Sequence, residues 1–217
     1  MKDKLIILDM DNTILQSRID FALMRARVYA VLEENGLAAY KRRSVADTLS
    51  AYADAPEYDA ALAASIWRKV AEIEDRGLEQ AVLEPGAAEA LAFLAGHAEL
   101  AVLTNNTDAN LAAHLGALGI LPYLSRVAGR DSVPRLKPAP DGLLYLMAQF
   151  PQIRRERVVA VGDASIDAVS AAAAGVAFAA YNRSRGEQWD ELGLKPALRL
   201  TAWTTEACRA VLSLAER

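Results

Sequence analysis

Two carboxylates stand two residues apart in Asp9-Met10-Asp11-Asn12-Thr13, directly after the apolar run Leu5–Leu8. In a turn leaving a buried strand, such a pair can bind a hard cation and divide two chemical roles. One carboxylate attacks an electrophile such as phosphorus, while the other moves a proton on and off the leaving oxygen. Magnesium suits the pair, because it takes oxygen ligands and keeps water and substrate phosphate in its shell. The plainer reading is an acidic turn ending a strand. A bare D-x-D-x-T arises by chance in roughly a few per hundred chains of this length, so position and company decide its weight.

Three later segments supply that company. Leu103-Thr104-Asn105-Asn106 puts a hydroxyl at the end of an apolar run, followed by main-chain N–H groups near a helix start, which can hold phosphate oxygens. Simple capping of that helix accounts for it equally well. Arg135-Leu136-Lys137-Pro138 supplies a lysine that can neutralise a carboxylate nucleophile and a phosphoryl group, with Pro138 and Pro140 fixing the backbone around it. By itself, a lysine before a helix is about three times more often a surface charge. Val161-Gly162-Asp163-Ala164-Ser165-Ile166-Asp167 sets two carboxylates four apart after a strand and a glycine turn, which suits a cation. A turn residue plus an aspartate at a helix N-terminus is the alternative, and it fits Asp167 better than Asp163.

To meet, these segments must leave neighbouring strands at one edge of a sheet. Continuous apolar runs predict buried strands at Leu5–Leu8, Leu100–Leu103, Val158–Val161 and Val176–Ala180, with weaker ones at Arg126–Ala128 and Leu198–Leu200. Helical spacing predicts helices over Ala87–Ala95, Thr107–Leu118 with Thr107 as N-cap, Asp141–Phe150, Asp167–Ala174 and Thr205–Ala215. The alternation implies an α/β fold, a doubly wound, mostly parallel, Rossmann-like sheet, whose ligands bind beyond the carboxyl ends of the strands. Residues 15–84 break the alternation. They read as helices over Phe21–Glu34, Ser44–Tyr52 and Ala60–Asp75, the last stopping at Gly77, and carry nine Lys/Arg against twelve Asp/Glu. We read them as a small helical insertion (15–84) within a core formed by 1–14 and 85–217.

Bulk composition narrows the function classes. Apolar residues make up 53% and charged residues 24% of the 217, an ordinary folded composition. A net charge of −4 favours neither nucleic acid nor an anionic membrane as partner, so an anionic substrate needs a local positive site. Four apolar residues before Asp9 are too few for a signal or membrane segment, and a cytoplasmic protein, monomer or homodimer, is expected. The single cysteine, Cys208, forms no internal disulfide and reads as a small core residue. His97 and His114 fall on core helices and carry no expected role.

Taken in order, Asp9/Asp11, Thr104, Lys137 and Asp163/Asp167 resemble the four motifs of the haloacid dehalogenase-like (HAD) hydrolase superfamily. The likeness is greatest to the phosphoglycolate phosphatase and β-phosphoglucomutase-like branch, in which the insertion is a C1 helical cap. Glu84-Pro85-Gly86, Lys137-Pro138-Ala139-Pro140 and the stretch from Gly162 to Gly175 share its character. The resemblance implies a Mg²⁺-dependent phosphatase acting on a small phosphorylated metabolite through an aspartyl-phosphate. Asp9 would be the nucleophile and Asp11 the general acid and base. Thr104 and the Asn105 N–H would bind the phosphoryl oxygens, and Lys137 would balance charge. The metal would be held by the Asp9 carboxylate, the Asp11 main-chain carbonyl and Asp163, with Asp167 as a ligand directly or through water. Asp11 argues for phosphate chemistry over dehalogenation, which needs no acid there. Asn12 stands where the branch usually has glycine, and asparagine tolerates the left-handed backbone such a turn requires. Arg18, Arg25 and the run Lys41-Arg42-Arg43 could meet a second anionic group on the substrate, though solvated surface charge is about four times the commoner role for each. A phosphomutase of the same family and an inactive HAD-fold binding protein are the alternative functions; a phosphonatase would need Lys41 or Lys69 as its amine.

Overall fold

The computed structural model describes residues 2–37, 44–181 and 193–216. In chain order its elements are β1 (Leu5–Leu8), β2 (Leu15–Gln16), α1 (Phe21–Glu34), α2 (Val45–Ser50), α3 (Ala60–Glu79), β3 (Val82–Leu83), α4 (Ala87–Ala95), β4 (Glu99–Leu103), α5 (Leu111–Ala117), β5 (Arg126–Ala128), α6 (Asp141–Ala148), β6 (Val158–Gly162), α7 (Ser165–Ala174), β7 (Ala177–Tyr181), β8 (Leu198–Leu200) and α8 (Thr205–Leu214).

Six strands form one parallel sheet in the order β5-β4-β1-β6-β7-β8. The chain therefore winds outward from β1 in one direction and then, after β5, in the other. The strand order reverses beside β1, which is where doubly wound sheets open a crevice at their carboxyl edge. The central strands are apolar on both faces because helices cover both. Leu5, Ile7, Ala101, Leu103, Val158 and Ala160 pack with Leu143 and Leu146 of α6 and Ala168, Ala171 and Ala174 of α7. The small alanines of α7 let it lie close to β6 and β7. The alternate residues Ile6, Leu8 and Val102 are equally buried, on the opposite face by strand alternation. Helices α4 and α8 pack together and against β4 and β8 respectively, and Cys208 is wholly buried there, with its thiol pushed up to about 11 by burial.

The chain divides into two compact units, Met1–Ser17 with Val82–Arg217, and Arg18–Ala81. In the smaller unit α1 packs on α2 and α3, burying Met24, Val28 and Leu32 of α1 and Ile66, Val70 and Leu78 of α3. Asp20 and Asp59 cap α1 and α3 by accepting from the N–H groups of Leu23 and Leu62. Tyr52 donates its hydroxyl to the Leu37 carbonyl.

Three local expectations fail for identifiable reasons. Gly77 does not stop α3: a Cβ there would lie 2.5 Å from Ile19 N, so this glycine serves close packing inside the helix. Thr107 does not cap α5. Its hydroxyl is donated to Asp131, and the helix starts at Leu111 after Asn110, which sits at φ +60°. The stretch 15–84 is bounded by a two-residue antiparallel ladder, Leu15↔Leu83 and Gln16↔Val82, which belongs with the sheet unit and is too short to leave a period in sequence. The run Lys41-Arg42-Arg43 lies outside the described residues. Arg18 is exposed and Arg25 half-buried, and both belong to the helical unit.

Candidate active site

Every sequence-predicted site residue of the sheet unit lies at the carboxyl edge, next to the reversal of strand order. β1 ends at Leu8, and the Asp9 N–H continues the ladder by donating to Val161 O at 2.8 Å. The chain then turns sharply: the N–H groups of Ile14 and Leu15 both donate to Met10 O, and Asn12 takes φ +57°, the left-handed backbone that asparagine tolerates. This turn brings Thr13 back under Asp9, where its hydroxyl donates to Asp9 Oδ2 at 3.1 Å. The far side of the turn is pinned by Trp203, whose Nε1 donates to Thr13 O at 2.7 Å.

Lys137 crosses from the loop before α6 to the same point. Its ammonium lies 2.6 Å from Asp9 Oδ1, 2.7 Å from Asp167 Oδ1 and 3.0 Å from Leu103 O. All three donors of the ammonium are used, which is how a lysine only 5% exposed keeps its charge. Burial works against that charge, but Asp167 and Asp9 overcome it and hold the ammonium above the ordinary lysine range. The loop is fixed from two sides. Asn105 pairs with the Lys137 main chain in both directions, Nδ2 donating to its carbonyl at 2.9 Å and Oδ1 accepting its N–H at 3.0 Å. Ser170, from α7, donates its hydroxyl to Ala139 O.

Asp167 is seated by the Gly162 turn. A Cβ at Gly162 would stand 2.5 Å from Asp167 Cγ and Oδ2, so only glycine leaves room for that carboxylate. Oδ2 accepts the Ala164 N–H at 3.1 Å, completing the first turn of α7. Burial pushes Asp167 up to about 6; Lys137 pulls it down and Asp9 pushes it up. Asp9, Asp163 and Asp167 offer carboxylate oxygens within 4.8 Å of one another.

Asp11, half-buried at the top of the turn, has its two oxygens in different surroundings. Oδ2 accepts from Asn106 Nδ2 at 2.8 Å, while Oδ1 is wholly buried. Burial, then the charge of Asp9, raises the Asp11 carboxyl to about 7, where a group can give and take a proton near neutral pH. Thr104 closes the ring. Its main chain donates to Ala128 O, and its hydroxyl oxygen accepts the Asn106 N–H at 3.1 Å, which frees its hydrogen for another acceptor. The Asn105 amide side chain is committed to the Lys137 main chain, and the residue's main-chain N–H can be offered to a ligand.

The donor set fits a hard divalent cation. Four carboxylates (Asp9, Asp11, Asp163, Asp167) face one ammonium, and even with Asp11 protonated two negative charges remain in excess. Oxygen-only donors at this charge suit Mg²⁺.

Four supporting residues escaped the sequence reading: Thr13, Asn106, Gly162 and Ser170. Thr13, Asn106 and Gly162 sit inside the quoted motifs, where the spacing i, i+4 from Asp9, the second asparagine after Thr104 and the glycine before Asp163 were the available signals. Ser170 acts across loops and left none.

Comparison with known proteins places the chain in a family. The model of the haloacid dehalogenase-like hydrolases matches residues 4–175. The phosphoglycolate phosphatase of Pseudomonas fluorescens is 30% identical over 200 residues, covering 84% of this chain and 72% of that protein. Among solved structures, a predicted phosphoglycolate phosphatase from Haemophilus somnus 129PT has a TM-score of 0.68 at 23% identity, covering 97% of this chain and 99% of that one. A HAD-hydrolase from Bacillus subtilis bound to magnesium has a TM-score of 0.66 at 19% identity, covering 98% and 99%; both structures share the fold. With the family model matching residues 4–175, the chain is an enzyme of the haloacid dehalogenase-like hydrolase family, in its phosphoglycolate phosphatase and β-phosphoglucomutase-like branch.

Proposed function

We propose that this hydrolase is a Mg²⁺-dependent phosphatase that cleaves a small phosphomonoester through an aspartyl-phosphate on Asp9. The observation that carries the reading is the pairing of unlike neighbours. Asp9 lies 2.6 Å from the Lys137 ammonium, while Asp11, two residues on, sits in surroundings that favour its protonated form. Phosphoryl transfer needs an in-line nucleophile, charge neutralisation and a proton for the leaving oxygen, and these groups supply all three.

In the first step an Asp9 oxygen forms the new bond to phosphorus as the bond to the leaving oxygen breaks, and the Asp11 carboxyl group delivers its proton to that oxygen. In the second, Asp11 takes a proton from water as the water oxygen attacks phosphorus, releasing inorganic phosphate and restoring Asp9. Thr104 Oγ and the Asn105 N–H donate to the phosphoryl oxygens, and Lys137 holds Asp9 in place and offsets its charge. Asp9, Asp163 and the Asp11 carbonyl, with Asp167 beside them, would hold the cation, which would supply positive charge to offset the phosphoryl oxygens. Asp167 has both oxygens engaged by Lys137 and Ala164, which favours a supporting place for it. The helical insertion serves as the cap that selects the substrate, and the name of the Pseudomonas relative makes phosphoglycolate the first candidate to try.

The test is hydrolysis of p-nitrophenyl phosphate with Mg²⁺ and with chelator. Turnover that needs Mg²⁺ and falls at least about 10³-fold in Asp9→Asn is expected. An inert wild-type protein, or an Asp9→Asn variant of full activity, refutes the reading.

A further inference from the structure

Asn106 touches Asp11 with its side chain and ties down the loop after β4 with its main chain. It is 4% exposed, in the loop after β4, and it is held through its main chain rather than its side chain. Its carbonyl accepts the Arg130 N–H at 2.7 Å, and Gly129 passes so close that a Cβ there would lie 2.7 Å from the same oxygen. Its N–H donates to Thr104 Oγ1 at 3.1 Å. With the backbone anchored twice, the side-chain amide is free to be aimed, and it points at Asp11 Oδ2 over 2.8 Å.

We infer that Asn106 is a positioning residue for the proton transfer, holding the Asp11 carboxyl group in one orientation through Oδ2. An amide N–H can only donate, and Oδ2 can accept it in either protonation state of Asp11, so the contact persists through the proton transfer. The same contact fixes the plane of the carboxyl group. Through its N–H, Asn106 also turns the Thr104 hydroxyl hydrogen outward. One residue thus sets the direction of the proton donor and of a phosphoryl-oxygen donor together. The inference rests on the reading of Asp11 as general acid and base.

A positioning role in proton transfer leaves a mark that a structural role does not: dependence on the leaving group. The measurement is kcat/KM in Mg²⁺ for phenyl, 4-nitrophenyl and 2,4-dinitrophenyl phosphate, for wild type, Asn106→Ala and Asn106→Asp. The quantity kcat/KM is chosen because it ends at transfer to Asp9, before the water step shared by all three esters. Asn106→Ala keeps both main-chain anchors. Asn106→Asp keeps the shape while replacing the donor by an acceptor, so the pair guards against loss through folding, checked by thermal melts. For phenyl phosphate, whose leaving oxygen needs a proton, both variants are expected to lose about 100-fold. For 2,4-dinitrophenyl phosphate, whose leaving group departs as the anion, the expected loss is under about threefold. An equal loss across the series, or none, overturns the inference while leaving the phosphatase reading intact. A wild-type protein inert toward every ester overturns the phosphatase reading itself, and the inference with it.

Discussion

Replacing Lys137 by methionine isolates the electrostatics of the site, because methionine keeps an unbranched apolar stem and removes only the charge. In the folded protein the ammonium separates Asp9 and Asp167, at 2.6 Å and 2.7 Å, with side chains 10% and 6% exposed. At an effective dielectric of about 20, each contact contributes on the order of 4 kcal/mol of attraction, against a desolvation cost of several kcal/mol for the buried ammonium. Deleting one partner of such a group leaves two buried carboxylates facing each other, and the expected net loss is about 3–5 kcal/mol. For a chain of this size that corresponds to a fall in Tm of roughly 6–20 °C. Melts should be recorded in chelator and in excess Mg²⁺. A dication among the same carboxylates restores much of the missing positive charge, so the deficit is expected to shrink by about half or more when Mg²⁺ is present. A variant that melts with the wild type in chelator would refute the claim that Lys137 holds the site together. A deficit that Mg²⁺ leaves unchanged would refute the claim that these carboxylates form the cation site.

Two further outcomes follow from the same geometry. Gly162→Ala drives a Cβ to within 2.5 Å of an Asp167 carboxylate whose oxygens Lys137 and Ala164 already hold; it is expected to cost about 1–3 kcal/mol and to weaken Mg²⁺ binding by about tenfold or more, read by melting and titration calorimetry. Asp11→Asn is expected to abolish turnover yet stabilise the cation-free protein at alkaline pH. The Asp11 carboxyl is raised from 3.8 to about 7, so its contribution is full below pH 4 and lost as pH climbs to 7; removing it gains up to about 4 kcal/mol at pH 8 and nothing below pH 4, as melts across that range will test.

Strand positions were legible because central strands of a doubly wound sheet are buried on both faces and therefore read as unbroken apolar runs. Leu5–Leu8 and Val158–Val161 needed no further signal. The four chemical segments were legible as a set because strand order brings their ends to one edge. Lys137 was not legible alone: its local sequence suits an exposed lysine, and its burial depends on Asp9, 128 positions earlier, and Asp167, 30 positions later. The partners of Asn106 and Ser170 were invisible for the same reason, since each spends its side chain on a different loop. Gly77 and Thr107 misled because local capping rules apply only where tertiary contacts do not outrank them. Ile19 occupies the space beside one, and Asp131 claims the hydroxyl of the other.

The site is held less by turns than by hydrogen bonds between turns. Asn105 ties the loop after β4 to the Lys137 loop, Asn106 ties it to Asp11, Ser170 ties α7 to Ala139, and Trp203 ties the C-terminal segment to Thr13. Each tie ends on a main-chain group or a carboxylate, partners that do not change when neighbouring side chains do. This arrangement has a physical consequence. The four carboxylates repel one another, so any slack between loops would let them spread and take Asp9 away from the axis of attack. Cross-loop bonds resist that spreading without adding positive charge, which is in short supply: one ammonium serves two carboxylates at once. The excess negative charge is thus retained by construction, and it suits a divalent cation at the edge of the sheet beside Asp9.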